Sequence, residues 1–404
     1  MKYSNNGLQA VTNVQSTAIH AGFKQDASKN DLALIYFPNK ATVAGVFTQN
    51  LVKAWPVLYG QHMLSQYSEF SAILINSGNA NACNGDSGQT TMHKVIQLLA
   101  NELDITPHEV LVSSTGVIGA PLEFKPFDDN MERLVESLQS DSSHSVATAI
   151  MTTDTVPKET AYSMDIDGQT VHIGAVAKGS GMIHPNLGTM LSYIVLDIAC
   201  DQDTLYTLLK KAVDLSFNSM TIDGDTSTND TVFLCATGEK TIALSDENLD
   251  HLQSLITTVC ADLAKMMAQD GEGASKSITI KTLGAMSQQD AKAVGKAIAT
   301  SNLVKTAIFG EDPNWGRIIS AVGNSGVTSI IPEQIDILFE SKFGSVQPCK
   351  HGAFNEFSQR LAKKILSAED IEISVDLNLG GSQATVWTCD LTHDYIHINA
   401  DYHT

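Results

Sequence analysis

Apolar residues recur at helical spacing in five stretches of the chain. Met92, Val95, Ile96, Leu99 and Leu103 make one stripe, and Leu205, Leu208, Leu209, Ala212 and Val213 a second. The longest runs from Leu249 through Leu252, Leu255, Ile256, Val259 and Leu263 to Met266, and Gly271 reads as its C-cap. A fourth stripe passes through Ala291, Val294, Ala297 and Ile298, and a fifth through Phe357, Leu361 and Ile365. Between them lie short β-rich runs at 32–37, 43–48, 72–76, 170–177, 191–198, 231–236, 278–283, 371–377 and 395–399. Asp165-Ile166-Asp167-Gly168 reads as a hairpin turn, because the last two positions accept positive φ. Helices and strands mix without regular βαβ alternation. The pattern therefore predicts an α+β (mixed α/β) fold, a layered arrangement of mixed β-sheets and helices.

Composition narrows the function classes. The 404 residues are 43% hydrophobic and 17% charged, enough apolar material for a large core. Lys+Arg number 25 against 45 Asp+Glu, a net charge of −20, which argues against nucleic acid or an anionic membrane as partner and favours small molecules. The six cysteines are scattered and form no CxxC pair, so neither a disulfide framework nor a thiolate zinc site is expected. The polar N-terminus and the lack of a long apolar run predict a cytoplasmic location.

The least ordinary segment is KGSGMIHPNLGTMLSYIVLDI (178–198), in which a Gly-rich loop delivers Thr189 to the mouth of a strand. A threonine hydroxyl needs a general base, and no histidine stands in a triad pattern. A chain break before Thr189 would supply one, since the freed α-amine titrates near ~7.7–8.0, close to working pH. Gly188, without a Cβ, suits attack on its own carbonyl. The plain structural reading is a tight loop capped by Thr189, and local pattern alone favours it. SSTGVIG (113–119) could offer the Thr115 hydroxyl and the Gly116 N–H to an oxyanion, or be an ordinary strand-to-loop turn.

NSGNANACNGDSG (76–88) fits no phosphate-binding loop and reads as a packed Asn/Gly turn. MTIDGDTSTNDTV (220–232) carries Asp223, Asp225 and Asp230 without EF-hand spacing, so a hydrogen-bonded loop is preferred to a metal site. GEDPNWGRI (310–318) reads as a pocket wall or a rigid turn anchored by Trp315 and Arg317. Glu272 could face a ligand ammonium, although an exposed helix-end carboxylate is the default. His184 and His393 read as structural or solvated, and no metal is expected.

Taken together, the segments NSGNANACNG (76–85), STGVIG (114–119), TTDTVPK (152–158), AKGSGMIHPN…TML (177–191), DGDTSTNDTV (223–232), GEDPNWGRI (310–318) and NADYHT (399–404) resemble the ornithine acetyltransferase (glutamate N-acetyltransferase) family of arginine biosynthesis. They run in order across nearly the whole chain, which reverses the preference at Thr189. The resemblance implies an N-terminal-nucleophile-like fold and self-cleavage between Gly188 and Thr189. It divides the chain into an α piece, 1–188, and a β piece, 189–404, interlocked around one site. Thr189 becomes the nucleophile with its own amine as base, and Thr115 and Gly116 the oxyanion hole. Substrate contacts map onto Thr153 (with Thr152 the other choice), Lys178, Thr189, Glu272, Asn399 and Thr404. Gly188 stands where Ala is commoner in the family and Leu187 where Met is common; neither argues against cleavage.

The implied reaction passes the acetyl group of N2-acetyl-L-ornithine to L-glutamate by a ping-pong route through an acetyl-threonine ester. No cofactor is implied, although acetyl-CoA serves some family members as a second acetyl donor and no CoA motif decides the matter here. The family also implies an α2β2 heterotetramer. An N-terminal-nucleophile aminopeptidase or amidohydrolase is the alternative enzyme, and an inert acidic binding protein the non-enzymatic one.

Overall fold

In the computed structural model, residues 1–4, 6–140, 142–184 and 190–401 are described. Gly188, Thr189, Thr404 and the proposed scissile bond lie outside the described residues. Fifteen strands form two mixed sheets among the described residues. The first sheet holds β1 (Lys2–Ser4), β2 (Gln15–Ile19), β3 (Leu32–Phe47), β4 (Glu69–Asn79), β5 (Val110–Val117), β6 (Lys158–Ile166), β7 (Gln169–Lys178), β8 (Leu191–Ile198) and β9 (Thr231–Lys240). Their order is β1-β6-β7-β8-β9-β3-β4-β5, with β2 on the far half of β3. The second sheet holds β10 (Ser277–Ala285), β11 (Asp336–Ser341), β12 (Gly344–Lys350), β13 (Ala353–Phe354), β14 (Asp370–Asp376) and β15 (Ser382–Cys389).

The two β-runs expected at 32–37 and 43–48 are one strand, β3. Its pairing with β4 breaks register between Tyr36 and Ala41, where Lys40 takes φ +62°; its first half also pairs with β2 and its second with β9. That break folds the large sheet back on itself. One core lies between the halves, where Ala33, Ile35, Ile73 and Ile75 meet Leu191, Tyr193 and Val195. The opposite side chains of β7–β9 pack against helices Gln202–Leu215 and Asp246–Gln269. Those of β3–β5 pack against helix Gly85–Glu102. The result is a helix–sheet–sheet–helix sandwich, in keeping with the layered mixed α/β expectation. β8 is buried at every position, which explains its near-continuous apolar run. The second sheet has its own core against helices Gln288–Ala299 and Gln359–Leu366.

Two local expectations need correction. YIHIN (395–399) alternates like a strand but lies in helix His393–Asp401. Thr392 Oγ1 accepts from Asp394 N (3.1 Å), and the coil puts Tyr395 and Asn399 on one face at i, i+4. Gly271 is not the left-handed cap of the long helix: Asp270 is the cap residue and Gly273 carries the positive φ (+66°). Gly271 is small because a Cβ there would press on Cys389 Sγ. The hairpin at 165–168 forms as expected, with Asp167 and Gly168 at φ +54° and +73° joining β6 to β7. Among the described residues no helix is long and apolar enough to cross a membrane.

Candidate active site

The ends of β5 and β7 and the starts of β8 and β9 converge where the two half-sheets separate, leaving an open cleft. Thr115 and Gly116 come from the end of β5, Lys178 from the end of β7, Thr152 and Thr153 from the loop before β6. Glu272 comes from beyond the long helix and Asn399 from the C-terminal helix; all seven line the cleft, with Met190 and Asp230. Met190 immediately follows Thr189 in the chain.

Backbone constraints place the oxyanion pair. Parallel pairing sets Thr115 against Ser77 and Gly116 against Gly78, with a register shift at Asn79. Gly116 has φ +133°, and a Cβ there would collide with the backbone of Gly78 and Asn79, so no other residue fits without moving β4. The turn at 76–88 is the packed Asn/Gly structure expected. Asn81 and Cys83 have positive φ, and Asn79 Oδ1 accepts from Asn81 N at 2.8 Å.

Two polar networks line the walls. In the first, Lys178 Nζ donates to Thr152 Oγ1 (2.9 Å) and Thr115 Oγ1 (3.2 Å). Burial lowers the Lys178 pKa, and Asp154, Asp230 and Glu272 oppose that shift. In the second, Glu272 accepts from Thr153 Oγ1 (2.6 Å) and from Asn399 Nδ2 (2.7 Å), and its N–H donates to Ser180 O (2.8 Å). Glu272 is therefore buried, 8% exposed, rather than the exposed helix-end carboxylate of the default reading. Gly181 makes room for it, since a Cβ at that position would strike the carboxylate.

Behind these walls stands a buried ion cluster that sequence reasoning passed over. Lys158 Nζ bonds Asp154 Oδ1 (2.7 Å) and Asp270 Oδ2 (2.6 Å). Asp154 also takes Gly179 N (2.7 Å) and Thr152 N (3.0 Å), which ties the TTDT turn to the Gly-rich loop. Burial works to raise the Asp154 pKa, but the Lys158 and Lys178 charges outweigh it and hold the carboxyl below its ordinary value. The i, i+4 spacing of Asp154 and Lys158 was the available signal.

The 220–232 segment is the hydrogen-bonded brace expected. Asp223 takes the N–H groups of Met182 (2.6 Å) and Ile183 (2.9 Å), holding Met182 at φ +54°. Thr226 Oγ1 donates to His184 O (2.9 Å). Asn229 Nδ2 donates to Ser114 O (2.8 Å), one residue before Thr115. Asp230 departs from its neighbours. It is 2% exposed, its Oδ2 has no hydrogen-bond partner among the described residues, and burial raises its pKa well above the ordinary value. His184 is structural, bonded to Thr221 Oγ1 (3.0 Å), with its pKa pushed down to about 4 by burial. His393 packs edge-on against Phe309. The 310–318 segment is a turn rather than part of the cleft. Asn314 caps the helix Trp315–Gly323, and Arg317 donates to Leu303 O (2.7 Å).

Comparison with known proteins gives this cleft a context. The ArgJ family model matches residues 15–404. The arginine biosynthesis bifunctional protein ArgJ 1 of Clostridium acetobutylicum is 43% identical over 403 residues, covering 99% of this chain and 98% of that protein. The chain belongs to the ArgJ family. Among solved structures, the arginine biosynthesis bifunctional protein argJ of Bacillus halodurans is 39% identical and matches 53% of this chain and 100% of its own, with a TM-score of 0.49. The ornithine acetyltransferase of Mycobacterium tuberculosis, solved with ornithine, is 36% identical over 46% of this chain and 98% of its own, with a TM-score of 0.43. ArgJ membership bears out the ornithine acetyltransferase resemblance stated from the motifs.

Proposed function

We propose that this ArgJ-family chain is an acyltransferase that moves the acetyl group of N2-acetyl-L-ornithine to L-glutamate, releasing L-ornithine and N-acetyl-L-glutamate. One observation carries the assignment of the site. Seven residues that the motifs single out, from segments as far apart as Thr115 and Asn399, line one cleft beside the residue that follows Thr189.

The chain first cleaves itself. Thr189 Oγ attacks the Gly188 carbonyl, the acyl group shifts from N to O and so frees the Thr189 amine, and water hydrolyses the ester to release the Gly188 carboxylate and the Thr189 hydroxyl. That amine takes the Oγ proton as Oγ attacks the acetyl carbonyl. The Thr115 hydroxyl and Gly116 N–H receive the oxyanion, a contribution of ~10²–10³ in rate per donor. Collapse expels ornithine, whose nitrogen takes the proton, and leaves an acetyl-Thr189 ester. Glutamate's amine attacks that ester, its proton returns through the Thr189 amine, and N-acetylglutamate leaves.

In this reading Glu272 pairs with the ornithine side-chain ammonium, within the frame set by Thr153 and Asn399. Lys178 offers its remaining proton to a substrate carboxylate, and Thr404 closes the site with Asn399. The reaction uses no cofactor; acetyl-CoA would enter only as a second acetyl donor. We place the enzyme in the cytoplasm as two copies of each piece.

A denaturing gel tests the cleavage: the wild type should give two chains of similar size and Thr189→Ala one of about 43.3 kDa. Acetylornithine without glutamate should leave an acetyl group on the piece that begins at Thr189, and glutamate should remove it. An intact wild-type chain with full transferase activity would sink the mechanism. Acetyl-CoA as sole donor decides whether glutamate is also acetylated directly.

A further inference from the structure

The proposed mechanism gives Thr115 and Lys178 separate tasks, one at the oxyanion and one at a substrate carboxylate. The structure joins them. Lys178 Nζ lies 3.2 Å from Thr115 Oγ1, and both side chains are walled in, at 9% and 8% exposure. An ammonium has only donors, so the Thr115 oxygen must accept in this contact. Its own hydrogen cannot then point back towards Lys178. Among the described residues the Thr115 hydroxyl has no acceptor, so that hydrogen is left for the cleft. Neither partner can drift. Thr115 is held in the β4–β5 ladder, and Lys178 in the β7–β8 ladder opposite Leu191 with a second bond to Thr152.

We propose that Lys178 is a positioning residue for the oxyanion site, fixing the Thr115 hydroxyl so that its hydrogen faces the negative charge that develops on the substrate. The inference rests on the assignment of Thr115 as an oxyanion donor. The chain Nζ–H to Oγ1–H to oxyanion runs in one direction, so each bond polarises the next as charge builds. A hydroxyl free to rotate would have to be oriented at each turnover, and a preoriented one does not.

The arrangement depends on the Lys178 proton. A neutral amine has a lone pair and can accept, so the Thr115 hydrogen could turn away from the substrate. Asp154, Asp230 and Glu272 face Lys178 and favour its charge, whereas Lys158 opposes it and burial opposes it most. Lys24 also senses both Asp154 and Lys178. Activity should therefore fall on the alkaline side below the ordinary lysine range near ~10.4.

A double-mutant cycle on the cleaved enzyme tests the idea, with Thr115→Val, Lys178→Met and their combination. Thr115→Val should lower kcat ~10²–10³-fold. Lys178→Met should lower kcat at least ~10-fold alone and add little once Thr115 is Val, because both remove the same oriented donor. Lys178→Arg should keep most of kcat and move the alkaline limb upward, since a guanidinium does not titrate there. Lys178→Met acting only on KM, or lowering kcat by the same factor with and without Thr115, overturns the inference and leaves the transferase reading intact. A Thr115→Val enzyme with normal kcat overturns the oxyanion assignment itself. If Lys178→Met does not accumulate as folded protein, an alkaline limb unmoved in Lys178→Arg is the overturning result.

Discussion

Two buried carboxyl groups beside Lys178 are pushed in opposite directions, and their surroundings say why. Asp154 meets Lys158 and two backbone N–H groups and stays ionised. Asp230 meets burial that Lys178 only partly offsets, and its pKa is raised well above the ordinary value. The two should answer mutation differently, best measured by urea unfolding in the uncleaved Thr189→Ala chain. Lys158→Met strands Asp154 and Asp270 as buried acids and should cost about 3–5 kcal/mol. Asp230→Asn keeps the shape of a neutral acid and should be no less stable than its parent at pH 7. A raised folded-state pKa means that Asp230 contributes fully only below its unfolded value near ~3.9 and loses that contribution as pH rises through the folded value. The advantage of the Asp230→Asn chain over its parent should therefore shrink as pH falls from 7 towards 4. A stability difference that is flat over that range would show Asp230 to be ionised in the folded chain.

Among the elements, unbroken apolar runs and wide helical stripes were the most readable. β8 and the long helix matched their expected spans because a fully buried strand and a wide helical stripe leave unbroken apolar signatures. β11, β12 and β15 went unread where tight turns run close on them, although β14, which alternates in the same way, was legible at 371–377. The C-terminal helix was misread for a related reason. It has no buried residue, so its side chains carry no helical stripe. What fixes it is polar. Thr392 Oγ1 donates to Gly273 O (2.6 Å), Tyr395 OH reaches Asp223 (3.4 Å), and Asn399 reaches Glu272 (2.7 Å). A helix held over a cleft by so few contacts should loosen before the rest of the molecule. Thr392→Ala removes both the cap and the Gly273 tether, a loss of about 0.5–2 kcal/mol for that helix. The expected result is a higher KM for acetylornithine with an unchanged proportion of cleaved chain. Unchanged KM would mean that the helix does not contribute to substrate binding.

At the scale of the whole molecule, the proposed break falls in an unusual place. Residues on both sides of it share one sheet: β8 and β9 lie between β7 and β3, so the strands after residue 189 are hydrogen-bonded on both flanks to strands before it. They also share two cores. Val171, Ile173 and Ala175 pack with Ile194, Leu196 and the helices that follow, and Ile35 and Ile73 pack with Tyr193 and Phe233. The motif order made the site's residues legible because each is a short local signature. This interleaving was not legible, because strand order depends on pairings between residues far apart in sequence. The net charge of −20 likewise describes the surface and not the cleft, where Lys178 stands among buried acids. Cleavage removes one covalent link and none of the sheet bonds, so separating the pieces would expose both cores and four strand edges at once. The two chains seen on a denaturing gel should therefore elute together in native size exclusion, at any salt concentration, and unfold in one cooperative transition. Their resolution into separate folded species without denaturant would show that the shared sheet does not hold the pieces together.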